Sequence, residues 1–202
     1  NAPAPYEAGD NISITGRVIT TKAFPCNPNL LDNWYFGNPV NQRGKTSYTG
    51  DGYTIDRWCN VYSTPLTVQL SKDGLKLDAS SAPGQTAGFS QRIDSANIVK
   101  GQKITLSVLS NNSCNSITLE VNDDASYDSP EISVGDGWFL DLFKASSDQY
   151  YQVRFYTTTG GNLSNNPILA VKLELGPQQT LAHQENGVRV LNEIPDYGEQ
   201  LL

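Results

Sequence analysis

The residues in this chain best suited to chemistry are aromatic rings set among turn formers and amides. Tyr48 and Tyr53 stand in the Gly/Thr/Ser-rich stretch 46–53. Trp138 follows two glycines in Gly135-Asp136-Gly137-Trp138-Phe139, and Tyr127, Tyr150 and Tyr151 are further aromatic positions. A ring held out by a turn can lie against the apolar face of a pyranose while neighbouring Asn, Asp, Gln or Arg side chains fix the hydroxyls. Tyr48, Tyr53, Trp138, Tyr127 and Tyr150 are therefore the candidate ligand-binding residues. Structural alternatives stand beside them: the two loop tyrosines could fold over a sheet edge, and in an extended segment only one of Trp138 and Phe139 points outward. Trp58 fits a core anchor better, with Asp56 and Arg57 as a local ion pair, while Trp34 competes with Leu31, Tyr35 and Phe36 for an inward face.

Catalytic chemistry finds little footing. The single histidine, His183, lies in the polar run Ala182-His183-Gln184-Glu185-Asn186-Gly187, and no Gly-x-Ser-x-Gly elbow occurs, so a Ser/His/Asp site is not expected. Any two of the 21 acidic residues could form the carboxylate pair of a glycoside hydrolase, but spacing prefers none. The expectation is a protein that is not an enzyme. Cys26, Cys59 and Cys114 are too widely spaced for a CxxC metal site and are odd in number, so at most one disulfide can close within the chain. Free or partly buried thiols in a protein folded in a reducing cytoplasm are expected. With a net charge of −7 and Lys and Arg scattered singly, there is no stripe to neutralise phosphates, and no nucleic-acid partner is expected. No apolar run approaches the ~20 residues of a bilayer span, so no membrane insertion is expected either. The start, Asn1-Ala2-Pro3-Ala4-Pro5, has no Met and no signal pattern, and reads as that of a fragment or processed product.

The elements that must position these residues read as strands. Ile12 and Ile14 alternate with polar residues, Thr15-Gly16-Arg17 turns, and Val18-Ile19 resumes. This hairpin is too small to bury its own apolar face and needs a partner surface, either the main domain or the same segment of other chains, the latter making it an oligomerisation stalk. Leu66-Thr67-Val68-Gln69-Leu70 and Leu75-Lys76-Leu77 flank a turn with Asp73-Gly74 at its tip. Gly88 to Ile93 is another strand. Lys103 to Leu109 and Ser116 to Val121 alternate around the Asn111-Asn112-Ser113 loop, and Tyr150 to Tyr156 alternates again. Asn122-Asp123-Asp124 reads as a solvated turn. Helical periodicity is nearly absent until Pro195 to Leu202, which could start a short helix. The segments Asn29 to Phe36 and Ile168 to Gly176 bracket this β-rich stretch and are expected to pair with each other. The fold predicted is all-β: an antiparallel β-sandwich of the jelly-roll type with a short N-terminal β-hairpin extension. Its parts are a hairpin and linker over 1–24, the sandwich over 25–178 and a C-terminal extension over 179–202.

The run Asn29-Leu30-Leu31-Asp32-Asn33-Trp34-Tyr35-Phe36-Gly37-Asn38-Pro39-Val40-Asn41-Gln42-Arg43-Gly44, with Tyr53-Thr54-Ile55-Asp56-Arg57-Trp58, resembles the opening of jelly-roll domains in tail-fibre and tail-appendage proteins of phages and prophages of Gram-positive gut bacteria. Lys172-Leu173-Glu174-Leu175-Gly176 with Thr180 is similar to their closing strand, Val190 to Asp196 to their tail, and Ala8 to Ile14 to a short fibre motif. The middle, 60–165, carries no such likeness. The opening also resembles jelly-roll carbohydrate-binding modules.

The resemblance implies a virion component that attaches to a host cell-surface polysaccharide and assembles as a homotrimer. Alternatives are a carbohydrate-binding module of a secreted or surface bacterial protein, or a ligand-free structural component. No cofactor is expected beyond a structural Ca²⁺, which jelly-roll modules often carry near their joined ends. Asp32, Asn33 and Glu174 are the candidate ligands for it.

Overall fold

The computed structural model describes residues 26–62, 64–122 and 125–193, together with the backbone of 12–15 and 18–21. The Asn1 to Pro5 linker, the Asp123-Asp124 turn and the helix start after Pro195 lie outside them. In chain order the strands are β1 (Ile12–Thr15), β2 (Val18–Thr21), β3 (Ser47–Thr49), β4 (Gly52–Tyr53), β5 (Cys59–Val61) and β6 (Thr67–Ser71). They continue with β7 (Gly74–Asp78), β8 (Ala87–Asp94), β9 (Lys103–Ser110), β10 (Ser113–Glu120), β11 (Tyr127–Asp128) and β12 (Ile132–Gly135). The last are β13 (Trp138–Lys144), β14 (Tyr150–Thr157), β15 (Ile168–Leu175), β16 (Ala182–Glu185) and β17 (Val188–Leu191).

Two antiparallel sheets face each other over one hydrophobic core. The first has the order β10-β9-β15-β7-β6-β3 and the second β11-β13-β14-β8-β5-β4, with β12 on β13. The chain crosses between them repeatedly: β7 lies in the first, β8 in the second, β9 and β10 in the first, β12 to β14 in the second and β15 in the first. Its last two sandwich strands fill the centres, β14 between β8 and β13 and β15 between β7 and β9. This is an antiparallel all-β sandwich. The hairpin β1–β2 forms a separate two-stranded sheet, as does β16–β17.

Alternation explains most of these strands. In β14, Tyr151, Val153, Phe155 and Thr157 are buried, while Tyr150, Gln152, Arg154 and Tyr156 face outward and are partly buried, the Arg154 side chain being 12% exposed. Trp58 sits at the centre of the core, stacked on Phe89 at 4.9 Å between centroids and edge-on to Phe36 at 5.2 Å. Its indole N–H donates to the Asn33 carbonyl at 3.1 Å, which removes the polar liability of burying it.

The turns are equally legible. Asn111 and Asn112, both with positive φ, close β9 onto β10 by the two-residue geometry that matches strand twist. Between β6 and β7 the expected tip shifts by one residue: Ser71 pairs with Gly74, leaving Lys72-Asp73 as the loop. Gly74 is required by a close approach as well as by its φ of +122°, since a Cβ there would stand 2.3 Å from the Ile168 carbonyl oxygen.

The two bracketing segments do run together. Leu30 N–H donates to Leu173 O at 2.8 Å, Val171 N–H to Trp34 O at 3.1 Å and Phe36 N–H to Leu169 O at 2.8 Å. The opening segment is nevertheless not a continuous strand and keeps one isolated bridge, Tyr35 to Ala170. Asn33 is the reason: at φ +49° it turns the backbone, and its amide bonds the backbone of Val40 and Asp56.

Part of the outer face of the first sheet is covered by Cys26 and the segment 180–193. Lys172 and Glu174 of β15 point outward yet are fully buried, beneath Cys26, Thr180 and Glu193. Lys172 Nζ donates to Glu193 at 2.9 Å, and Glu174 accepts from the Thr180 N–H at 2.7 Å and from its hydroxyl. Burying these charges is tolerable because they are paired and hydrogen-bonded.

Candidate functional site

Among the described residues the outer face of the second sheet is partly exposed, open at Tyr53 and Arg92 and closed over Ser90 and Asp141, and strand register fixes what it displays. Tyr53 pairs with Cys59, Cys59 with Ser90, Ser90 with Arg154 and Arg154 with Asp141. One rung further runs Arg92, Gln152, Phe143 and Asp128, and on the other side Val61, Gly88, Tyr156 and Phe139. Side chains at facing positions lie within reach of each other, so the face is a grid of rings, guanidinium groups and amides.

Guanidinium groups order the rings. Arg154 lies over Phe143 at 3.9 Å and Tyr156 at 4.9 Å, Arg92 over Tyr150 at 4.4 Å, and Arg43 near Tyr53 at 5.8 Å. Arg154 is itself held from below by Asp141, whose carboxylate takes its Nε at 2.9 Å and Nη2 at 2.5 Å, and it donates Nη1 to the Tyr62 hydroxyl at 3.0 Å. The Tyr62 ring lies over Gly88, where a Cβ would stand 2.9 Å from it, and Tyr62 has a φ of +74°. Strain at a half-exposed ring is the kind of local cost found at binding sites.

Two shallow cavities open beside these groups. One of about 500 Å³ lies among Asp51, Tyr53, Tyr62 and Arg92, and one of about 380 Å³ among Asp32, Arg43, Tyr53, Arg57 and Arg92. Tyr53, 61% exposed, and Arg92 border both. The expected Asp56–Arg57 pair is instead two crossed pairs, Arg57 with Asp32 at 3.3 Å and Arg43 with Asp56 at 3.5 Å, which leave these groups around the second cavity. Chemically the face offers ring surfaces beside many fixed donors and few apolar walls, which suits a hydroxyl-rich ligand better than an apolar one.

No family model, curated protein or solved structure matches the chain.

Of the five aromatic candidates, Tyr53 is well exposed and Tyr127 and Tyr150 are half-buried. Tyr150 belongs to the outer face, on β14 opposite Asp94. Tyr127 meets Tyr151 edge-on at 6.3 Å, and burial raises its phenol pKa. Two candidates need correction. Trp138 is fully enclosed because β13 turns it inward and Phe139 outward, and it packs against Gly161. Tyr48, 8% exposed, is inward on β3 and gives its hydroxyl to Asn41. Neither offers a face to a ligand.

The three metal candidates have other partners. Asn33 spends its amide on backbone groups, Asp32 pairs with Arg57, and Glu174 is buried against Thr180 and Lys172. Among the described residues no three His, Cys, Asp or Glu side chains gather as a cation site. The three cysteines are separate free thiols.

The groups that sequence reasoning passed over are Tyr62, Arg92 and the Arg154–Asp141 pair. A usable signal existed in the outward register of the strand from Tyr150 to Tyr156, where Tyr150, Gln152, Arg154 and Tyr156 share one face.

Burial raises the Asp141 pKa, and the hydrogen bond and charge of Arg154 only partly offset it. The folded state therefore holds that proton more tightly than the unfolded chain, so the stability Asp141 contributes is complete below its ordinary value of 3.8 and falls as pH rises above it. The urea midpoint of the wild type, minus that of Asp141→Asn, is expected to decrease as pH increases from 3.8. A difference that rises with pH would mean that Arg154 outweighs burial.

Proposed function

We propose that this chain is a non-catalytic receptor-binding domain of a phage or prophage tail fibre, attaching to a host cell-surface glycan through the outer face of its second sheet. One observation carries the reading: a sheet face, partly exposed among the described residues, on which Tyr53, Tyr62, Tyr150 and Tyr156 stand beside Arg92 and Gln152, with Arg154 beneath Tyr62 and Tyr156 ordering the rings. Rings supply stacking surfaces for sugar C–H groups, and fixed donors select hydroxyl patterns. The shallow cavities suit one or two sugar units of a longer polymer, so each site is weak and attachment depends on several acting together.

The N-terminal hairpin supports that multiplicity. Among the described residues β1 pairs with β2 alone, and an isolated two-stranded hairpin is marginal in water. Pairing with copies of itself as a homotrimer would bury it and raise avidity by about 100-fold or more. The domain would then act at the virion tail, outside the cell in which it is made.

The test is binding of the labelled chain to Gram-positive gut bacteria and their purified wall polysaccharides, with its mass followed by analytical ultracentrifugation. Saturable, sugar-competed binding to a few strains by a trimer is the expected result. Absence of binding even when the chain is artificially multimerised would overturn the reading.

A further inference from the structure

A third cavity, of about 730 Å³, lies on the first sheet, where the β6–β7 turn, the β9–β10 turn and the β16–β17 hairpin meet the short turn Leu163–Asn165. Its walls carry three cations, Lys72, Lys76 and Arg189, against one carboxylate, Asp73. None of the three forms an ion pair with a described residue. The Asn165 amide on the same wall makes no hydrogen bond among the described residues and is left as a further donor.

The walls are cross-tied. Asn112 accepts the Arg189 N–H at 2.5 Å and donates to the Gly187 carbonyl at 3.3 Å, fixing the β16–β17 hairpin to the β9–β10 turn. Asn111 donates to the Asn166 side chain at 3.3 Å and so ties in the third loop. Arg189 is thus carried on a braced frame, while Lys72 and Lys76 sit on the β6–β7 hairpin, whose Leu75 pairs with Ile168 of β15.

We infer that this cleft is a separate binding site for the anionic groups of a polymer, either phosphodiesters or uronate carboxylates. The protein as a whole carries a charge of −7, which opposes polyanions at long range. At physiological salt, charges beyond about 8 Å are largely screened, so three cations that pair with no described residue, against the single Asp73, prevail around the cleft over the distant excess. A wall polymer that is both hydroxylated and anionic would engage both faces of the sandwich, but this site does not depend on the aromatic face for its binding.

The test titrates the full chain at low and physiological ionic strength with two probes, poly(glycerol phosphate) and polygalacturonate, each also against Lys72→Gln/Lys76→Gln, Arg189→Gln and Tyr53→Ala. Binding of at least one probe is expected. It should weaken with salt, fall by about 10-fold in the double lysine variant and in Arg189→Gln, and persist in Tyr53→Ala. Preference for the first probe assigns phosphodiesters, and preference for the second assigns uronates. Failure of both probes to bind at low salt, or undiminished binding by the cation variants, would overturn the proposal. Lys72 is exposed and Lys76 is partly buried in β7, so a melting temperature unchanged in the double variant separates a loss of binding from unfolding.

Discussion

Tyr53→Ala/Tyr62→Ala is expected to weaken binding to the wall glycan by about 100-fold, roughly 10-fold per ring, while shifting the melting temperature by only about 2–4 °C. The two halves of this result have different causes. Both rings stand out from the second sheet and flank the same cavity with Arg92, so removing them takes away stacking surface at the place where donors converge. Neither ring contributes to the core, and substitutions of exposed side chains alter stability little. The exception is the Tyr62 hydroxyl, which accepts from Arg154; its loss frees one guanidinium N–H that water can take. Titration by calorimetry beside a thermal melt reads both quantities. Binding within twofold of wild type would remove the aromatic rings from the account, whatever the fold does.

The largest effect on stability is expected at Trp58. Trp58→Ala removes a fully enclosed indole that stacks on Phe89 and meets Phe36 and Phe155, and so should cost about 3–5 kcal/mol. Against a typical total of about 5–15 kcal/mol, that is enough to populate the unfolded chain. Trp58→Phe keeps a ring in the stack but leaves the Asn33 carbonyl without its donor, and is expected to lose about 1–3 kcal/mol. Urea midpoints of the two variants would separate packing from hydrogen bonding. Equal losses would mean that the hydrogen bond, not the stack, is what Trp58 contributes.

The contrast between the tryptophans shows how far alternation can be read. Trp138 looked available because two glycines precede it, yet strand parity decided otherwise: Phe139 faces Tyr156 across the outer face, which turns Trp138 into the core. Parity was readable from Tyr150 to Tyr156, and from it the whole outer row of β14. What could not be read was the neighbour of each row. The pairing of Arg154 with Asp141 and Ser90 depends on which strands flank β14, and β8 lies more than fifty residues upstream. The approach of the segments 29–36 and 168–176 was legible from their apolar patterns. The burial of Lys172 and Glu174 was not, because in the outward register of β15 a charged residue ordinarily means solvent. Only Cys26 and the segment 180–193 folding over them make it otherwise. The ion pairs around Tyr53 were misassigned for a similar reason. Adjacent Asp56 and Arg57 point apart, since Arg57 has a φ of +70°, and each finds a partner from another loop.

The most direct test of the central claim is a chemical-shift map of the isotopically labelled chain titrated with an oligosaccharide from a wall polymer that it binds. The account predicts perturbations concentrated on the outer rows of the second sheet: Tyr53, Ser90, Arg92, Gln152 and Arg154, with Tyr62 at their edge. Perturbations confined to the first sheet and its loops, with these rows silent, would contradict it.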